Sequence, residues 1–465
     1  MIIGKEIQNY KDEIIENLQE LIKIRSVMGS ASEGKPFGGD VNRALEYVLK
    51  LGEELGFKTK NVDGYAGHIE YGEGDELVGV LVHLDVVPEG TGWNYPPFGG
   101  EIHEGKIYGR GASDDKGPAI AALYSLKVLK DTGILPKKKI RVIFGANEEN
   151  GMSDMKYYFS QEPVPDIGFS PDANYPIINR EKGILHLILE KNTSRDDNYL
   201  IQKLWGGEAV NMVPPECRAF IPEKNLCSDE LNTLKESAYR YNALLKHDVI
   251  AISLIMGEGV EILAKGKSAH GASPQEGTNA IYHMVNFLNK LGKDKYLNGF
   301  LDFIYEKIGE ETTGSSLEIA LKDEESGYLT LNLGKIEIDS TSMKAFLDIR
   351  YPVTCKMEDI LPIIEREAKE VGISVRVASH SLPLYVPKTH PLIISLISAY
   401  EKITGKKAEL LSMGGGTYAR TLKNNGVAFG GAGSGAHQPN EYVSIDELMK
   451  HAEICTQAIY ELACK

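Results

Sequence analysis

Two strand-like stretches decide the fold: VGVLVH at residues 78–83 and IRVIFGA at residues 140–146. Each is a short, almost unbroken apolar run, which is typical of a strand covered on both faces. Apolar residues at helical spacing occur around them, in residues 6–26, in residues 41–55 and after Gly117. Strands that alternate with helices predict an α/β domain with parallel strands, and such sheets bind ligands beyond the carboxyl ends of their strands.

The middle of the chain has a different pattern. Residues 182–379 alternate long helical segments, such as 277–291, with strand-like ones: ILHLILE (184–190), VEILAKG (260–266) and KAFLDIRY (344–351). From residue 380 the chain returns to glycine-rich turns and a final helix. Because 465 residues exceed what one hydrophobic core usually serves, we predict two domains. Residues 1–181 plus 380–465 would form the first, and residues 182–379 an inserted second.

Composition excludes several classes of function. The formal net charge is −15, from 66 acidic and 51 basic residues, which argues against a nucleic-acid partner. No apolar run approaches the ~18–20 residues that span a bilayer, and no secretory signal is expected. The cysteines are scattered without a CxxC pair, so we expect reduced thiols and a cytoplasmic location. They are Cys217, Cys227, Cys355, Cys455 and Cys464.

The first strand ends in ionisable residues. His83 closes it, and Asp85 lies two residues further on, on the same face of an extended chain. A carboxylate at that spacing can accept the free ring N–H of a metal-bound histidine and fix its tautomer. The alternative interpretation is a plain polar pair.

Two further carboxylate pairs follow. Asp114 and Asp115 lie in GRGASDDKG (109–117), where a carboxylate can bridge two cations; the alternative is an Asx-type turn, with Asp115 as a helix cap. Glu148 and Glu149 follow the second strand. Neighbouring buried carboxylates repel each other, which raises the pKa of one unless a cation intervenes. One could therefore hold a metal while the other addresses its water, and a solvated acidic loop is the alternative.

Asp172 in FSPDANYP (169–176) and His437 in GSGAHQPNEYV (433–443) complete the set. Taken singly, each fits a turn residue or a structural histidine. Together with the residues above they form a mixed nitrogen and oxygen ligand set, which suits a site for two metals. By contrast, Lys116 is expected at the surface or in packing, and Trp93 and Trp205 in the core.

Several motifs resemble the metallopeptidase superfamily of aminoacylases, glutamate carboxypeptidases and carnosinase-like dipeptidases, and most of all the bacterial dipeptidases of the peptidase-V type. The resemblance covers nearly the whole chain. The motifs are VLVHLDVVPEGTGW (80–93), PFGGEIHEGKIYGRGASDDKGP (97–118), GANEENG (145–151), FSPDANYP, GGEAVNMVP (206–214), GKSAHGASPQEGTNA (266–280), FLDIRYP (346–352) and GGGTYAR (414–420).

The resemblance implies a mixed-sheet α/β/α catalytic domain with an inserted α+β lid domain. It also implies roles for named residues. His83 and Asp172 would hold one divalent ion, Glu149 and His437 the other, and Asp114 would bridge them; Asp85 would orient His83. Glu148 would be the general base. The resemblance implies that Asn211 and His270 polarise the scissile carbonyl. It also implies that the substrate's carboxylate binds to Arg350, Gly416 and Arg420.

The implied reaction is hydrolysis of dipeptides by a metal-activated water. The alternatives are a related amidase, namely an N-acyl amino acid deacylase, a succinyl-diaminopimelate desuccinylase or a glutamate carboxypeptidase, and a non-catalytic binding protein with a decayed site. Zinc suits the histidines, whereas three carboxylates also suit manganese or cobalt. The large insert favours a monomer, with a dimer as the alternative.

Overall fold

The computed structural model describes residues 1–192, 200–226, 228–296 and 299–465. The chain divides into two compact units, which are Met1–Arg180 with Leu384–Lys465 and Glu181–Pro383. That these units act as a catalytic domain and a lid stays a prediction.

Strands are numbered in chain order. They are β1 (Lys58–Val62), β2 (Ala66–Tyr71), β3 (Leu77–His83), β4 (Glu101–His103), β5 (Lys106–Tyr108), β6 (Lys139–Gly145), β7 (Ile167–Ser170), β8 (Ile177–Glu181), β9 (Gly183–Asn192), β10 (Lys203–Gly206), β11 (Glu216–Pro222), β12 (Ile250–Ile255), β13 (Gly259–Lys265), β14 (Lys322–Asp323), β15 (Gly327–Tyr328), β16 (Thr330–Ile338), β17 (Ser342–Tyr351), β18 (Ser374–Ser381), β19 (Leu384–Tyr385), β20 (Leu410–Met413), β21 (Gly426–Ala428) and β22 (Tyr442–Ser444).

The α-helices are α1 (Lys11–Lys23), α2 (Gly39–Glu54), α3 (Lys116–Asp131), α4 (Ser153–Gln161), α5 (Ser228–Leu245), α6 (Ala280–Tyr296), α7 (Gly299–Phe303), α8 (Leu361–Glu370), α9 (Pro391–Thr404) and α10 (Ile445–Ala463). The helix predicted over 6–26 is a 3₁₀ segment, Gly4–Tyr10, followed by α1. The helix predicted from residue 277 begins at Ala280, because the Asn279 side chain accepts from the Ile281 N–H at 2.9 Å and caps the first turn.

The first unit is built on a mixed sheet of nine strands. Their order is β1-β2-β6-β3-β7-β21-β8-β19, with β20 beside β8. Strand β3 pairs in parallel with β6 and β7, and β7 pairs in parallel with β21. The pairs β1–β2, β2–β6 and β21–β8 are antiparallel. Because β3, β6, β7 and β21 run in one direction, their carboxyl ends meet at one edge of the sheet.

Helices cover both faces of this sheet. Side chains alternate along β3, so that Val80 and Val82 join the main core with α3 and α10, while Leu81 joins a smaller cluster with Tyr158 of α4 and Tyr418. The predicted mixed-sheet α/β/α architecture is therefore confirmed.

The second unit is an α+β fold. Its main sheet has the order β12-β13-β11-β10-β16-β17-β9-β18, and all neighbouring strands in it are antiparallel. A core of its own lies beside this sheet and includes Leu187, Ile262, Met284, Leu288 and Ile336. The α+β prediction for the insert is confirmed.

Two expectations from composition concern the whole chain. Within the described ranges, no helix combines the length and the apolarity that a membrane span requires. Cys217, Cys355, Cys455 and Cys464 are free thiols, as predicted, whereas Cys227 lies outside the described residues.

Candidate metal centre

The ionisable residues of the first unit meet at the carboxyl ends of its parallel strands. His83 is the last residue of β3, and Glu148 and Glu149 lie in the loop after β6. Asp172 follows β7, His437 lies in the loop after β21, and Asp114 lies in the loop before α3. Each parallel strand thus delivers at least one of these side chains.

Asp114 lies at the centre of the cluster and faces both histidines. Its Oδ1 is 2.8 Å from Nε2 of His83, and its Oδ2 is 3.1 Å from Nε2 of His437. The same nitrogen of His437 is 3.0 Å from Oε1 of Glu149. Asp172 Oδ2 is 3.9 Å from Nε2 of His83. These contacts place His83 with Asp172 on one side of Asp114, and His437 with Glu149 on the other.

Two overlapping groups could each hold a cation. The potential ligand atoms of His83, Asp114 and Glu149 lie within 4.8 Å of one another, as do those of His83, Glu148 and Asp172. Imidazole nitrogens and carboxylate oxygens are the ligands that zinc and manganese accept. The two groups have His83 in common, and the residues present fit the binding of divalent cations.

The electrostatics favour positive charge here. Burial, and then the charge of Asp114, raise the pKa of Asp172 well above its usual range; burial and the charge of Asp172 do the same to the pKa of Glu148. Hydrogen bonds to Asp114 and Glu149 raise the pKa of His437 to about 11. Four carboxylates thus crowd two imidazoles, and a bound cation would relieve their repulsion.

Asp85 supports the centre differently from the sequence expectation. Its backbone carbonyl, 2.9 Å from Nδ1 of His83, accepts the ring N–H, whereas its carboxylate Oδ1 is 3.6 Å from that nitrogen. The carboxylate instead accepts the backbone N–H groups of Glu148, at 3.0 Å, and Glu149, at 3.1 Å. Asp85 therefore orients the histidine through its backbone and the glutamate pair through its side chain.

Asp115 and Lys116 follow Asp114 in the chain, and both are buried. Asp115 occupies the N-cap position of α3, but its carboxylate caps no N–H of that helix; Oδ2 accepts the backbone N–H of His83 at 3.2 Å. Lys116 is fully buried, which fits the packing role that was one of its two expectations, and its Nζ donates to the carbonyls of Leu21, at 3.0 Å, and Ile24, at 2.7 Å. Burial lowers the pKa of Lys116 to about 7.

The loop that carries Glu148 and Glu149 is held by a buried pair that the sequence analysis missed. Asp154 Oδ2 accepts the N–H groups of Ala146, at 2.7 Å, and Asn147, at 2.8 Å, and also the hydroxyl of Tyr418. The Tyr418 ring lies edge-on to His83, with centroids 6.3 Å apart. Apolar spacing gave no signal for this pair, because both residues act through hydrogen bonds of their polar atoms.

Glu441 was missed as well, although it lies in the quoted segment 433–443. Its Oε1 accepts the backbone N–H groups of Gly111, Ser113 and Asp114 at 3.0, 3.0 and 3.2 Å. Its Oε2 accepts from Nη1 of the buried Arg110 at 2.6 Å. One carboxylate therefore fixes the loop that presents Asp114.

Replacing Glu441 with alanine should weaken metal binding. The substitution removes the acceptor of three loop N–H groups, and loss of such outer contacts typically costs about 10–100-fold in metal affinity. Titration calorimetry of chelator-stripped protein with manganese or zinc measures the change. Glu461→Ala is the matched control, because Glu461 is a buried glutamate paired with Lys402 at 2.7 Å, away from the cluster. Equal metal affinities in the two variants would contradict the role of Glu441.

The predicted carboxylate-binding residues of the first unit lie together. Arg420 Nη2 donates to the carbonyl of Gly415 at 3.0 Å. A Cβ at residue 416 would lie 2.2 Å from Nε of Arg420, so the guanidinium rests directly on Gly416. Tyr418, between them in sequence, connects this loop to Asp154.

In the second unit, Asn211 and His270 are neighbours. The carbonyl of Asn211 accepts the N–H of Gly271 at 2.7 Å, and Met212 forms an isolated bridge with His270. Arg350 of β17 is buried, and Asp348 holds its guanidinium through Nε at 2.7 Å and Nη2 at 2.9 Å. Asp348, the partner of Arg350, lies beside the same loop, because a Cβ at Gly271 would be 2.5 Å from its Oδ2. The structure thus brings the three predicted residues of this unit to neighbouring positions.

Known proteins resemble the chain over almost its full length. Residues 79–461 match the family described as Peptidase family M20/M25/M40. "Putative dipeptidase YtjP" of Bacillus subtilis (strain 168) is 39% identical and aligns with 98% of this chain and 99% of its own. "Putative dipeptidase SSP1012" of Staphylococcus saprophyticus is 35% identical, with 98% of each chain aligned.

Solved structures show the same fold at low sequence identity. Human carnosine dipeptidase 1 superposes with a TM-score of 0.61 at 15% identity, covering 99% of this chain and 98% of that one. The di-peptidase Dug1p of Saccharomyces cerevisiae gives a TM-score of 0.60 at 13% identity, covering 100% and 98%.

Proposed function

The chain belongs to peptidase family M20/M25/M40 and hydrolyses peptide bonds, and from this we propose that it is a dipeptidase that works with two divalent cations. One observation carries the proposal: the two oxygens of Asp114 face two different histidines, at 2.8 and 3.1 Å. A carboxylate in that arrangement is suited to bridging two ions.

The proposed ligands follow the two sides of Asp114. His83 and Asp172 would hold one ion, and Glu149 and His437 the other. When bound, the ions would polarise the substrate carbonyl and lower the pKa of a water molecule toward neutrality. Zinc is our first expectation, with manganese or cobalt as alternatives.

Glu148 is the proposed general base. Its carboxylate lies in the group with His83 and Asp172, and its backbone N–H is fixed by Asp85. Glu148 takes a proton from water as the water oxygen attacks the peptide carbonyl carbon. It returns that proton to the leaving nitrogen when the C–N bond breaks, which gives a carboxylate and an amine.

The remaining residues would bind the substrate. Asn211 and His270 would donate hydrogen bonds to the scissile carbonyl oxygen, where negative charge develops. The substrate's terminal carboxylate would bind to guanidinium groups and to backbone N–H. A guanidinium group can form two parallel hydrogen bonds to a carboxylate. The residues proposed for this are Arg350, Gly416 and Arg420. A cytoplasmic location and a monomeric state stay predictions.

A substrate screen tests the proposal. Chelator-stripped protein is reloaded separately with zinc and with manganese, and is then assayed on dipeptides, tripeptides and N-acetyl amino acids. We expect restored cleavage of dipeptides and little cleavage of the other two classes. Preferred release of acetate would instead indicate a deacylase of the same family. If neither metal restores activity, the two-cation proposal is wrong.

A further inference from the structure

A buried amide in the second unit holds the turn that carries Asn211. Asn332 lies on β16 and is 2% exposed. Its Nδ2 donates to the carbonyls of Val210, at 3.1 Å, and Met212, at 2.9 Å. These carbonyls belong to the residues immediately before and after Asn211, so the Asn332 side chain is hydrogen-bonded to the turn on both sides of Asn211.

A second contact seats the same turn on β16. The pairing of β16 with β17 shifts register between Leu333 and Lys335, which places Gly334 at an irregularity of the strand. A Cβ at Gly334 would lie 2.0 Å from the carbonyl oxygen of Val210. Only glycine therefore allows the turn to approach this closely.

The turn also determines where His270 lies. The carbonyl of Asn211 accepts the Gly271 N–H at 2.7 Å, and Met212 bridges to His270. Nδ1 of His270 accepts the N–H of Ala272 at 3.2 Å, which fixes the ring against its own loop. A movement of the turn would therefore displace both Asn211 and His270.

From these contacts we propose that Asn332 is a positioning residue for Asn211 and His270, an inference that rests on their proposed role at the scissile carbonyl. Asn211 is exposed, so burial does not fix its position; the hydrogen bonds from Asn332 to the carbonyls of Val210 and Met212 hold its backbone instead. Displacement of catalytic groups by about 1 Å can reduce turnover by about 10²-fold.

Asn332 has a second neighbour, and kinetic constants distinguish an effect through that neighbour from an effect through the Asn211 turn. Directly across the sheet lies Asp348, which holds Arg350. If Asn332 acted through Arg350, its loss would weaken carboxylate binding and raise KM. If it acts through the Asn211 turn, its loss lowers kcat and leaves KM near the wild-type value, because carbonyl stabilisation grows in the transition state.

The test compares Asn332→Ala with Asn242→Ala in metal-loaded enzyme. Asn242 is a matched control, because its Nδ2 donates to the carbonyl of Ile250 at 2.8 Å and its Oδ1 accepts the N–H groups of Val249 and Ile250 at 3.1 and 2.8 Å. We expect both variants to lower Tm. Only Asn332→Ala should lower kcat, by about 10–10²-fold. A similar loss of kcat in both variants would overturn the inference, as would a rise of KM alone in Asn332→Ala.

A double-mutant cycle separates this inference from the proposed function. In an Asn211→Ala background, Asn332→Ala should lower kcat further only through His270, and so by less than in the wild type. Equal losses in both backgrounds would overturn positioning. An Asn211→Ala variant with wild-type kcat would overturn the carbonyl-binding role itself. If Asn332→Ala fails to fold, Gly334→Ala provides a second test, because its Cβ presses on the same turn without changing the Asn332 amide. We expect Gly334→Ala to reduce kcat, and a wild-type kcat in Gly334→Ala would contradict the proposal.

Discussion

Glu148→Gln is expected to lower kcat by about 10²–10⁴-fold while the metal content of the protein stays at the wild-type level. Glutamine keeps the shape of the side chain but cannot take a proton from water at neutral pH. The backbone N–H of residue 148 would still donate to Asp85, as it does at 3.0 Å in the wild type, so the loop should keep its conformation. Steady-state kinetics together with elemental analysis of metal content provide the measurement.

Glu149→Gln is the matched comparison, because the two glutamates are adjacent and Asp85 accepts both of their N–H groups. Glu149 contacts His437 at 3.0 Å, so its replacement should lower metal occupancy as well as rate. Should Glu148→Gln lose metal instead, or retain wild-type turnover, another group would have to be the base.

Asp114→Ala should have the largest effect on metal binding. The substitution removes both oxygens of the proposed bridge, so each ion loses a ligand. Removal of a residue that only supports a metal ligand lowers metal affinity by about 10–100-fold, and we expect a larger loss here. Activity should then fall to the background of the assay. Metal content after dialysis and calorimetric titration with manganese or zinc measure the effect.

Asp166→Ala serves as the control for Asp114→Ala. Asp166 accepts the N–H of Leu77 at 2.7 Å, at the amino end of β3 and therefore opposite the end that carries His83. This variant should keep wild-type metal content and kcat. Two ions per chain in Asp114→Ala would refute the bridge.

The sequence predicted the fold well where a pattern repeats. The runs at 78–83 and 140–146 correspond to β3 and β6, because a strand buried on both faces needs apolar residues throughout. The positions of His83, Glu148 and Asp172 near strand ends followed from the same reasoning. The meeting of these side chains depends on strand order, which the sequence pattern alone does not contain.

The supporting contacts could not be predicted in this way. Asp85, Asp154 and Glu441 each accept backbone N–H groups from loops, and Glu441 does so more than three hundred positions away in the chain. Such acceptors have no characteristic spacing, since any loop N–H can serve as the donor. The sequence therefore identified the candidate ligands and Asp85, but not the contacts that hold their loops.

Trp205 was predicted in the core, but it is 40% exposed. It lies on the short strand β10, where Leu204 and Gly206 are buried and their neighbours point the other way. Four residues are too few for this alternation to be recognised in the sequence. The roles of Asn211, His270, Arg350, Gly416 and Arg420 stay predictions, because they came from the family resemblance.

The place of β21 has a consequence for biosynthesis. This strand, Gly426–Ala428, lies between β7 and β8, although more than two hundred residues separate it from them in the chain. While the ribosome is still translating the insert, the nascent first unit lacks an interior strand, and the facing edges of β7 and β8 have no partner. Unpaired strand edges promote association with other chains. Ribosome-bound intermediates of this protein should therefore need protection from association with other chains until β21 has been translated.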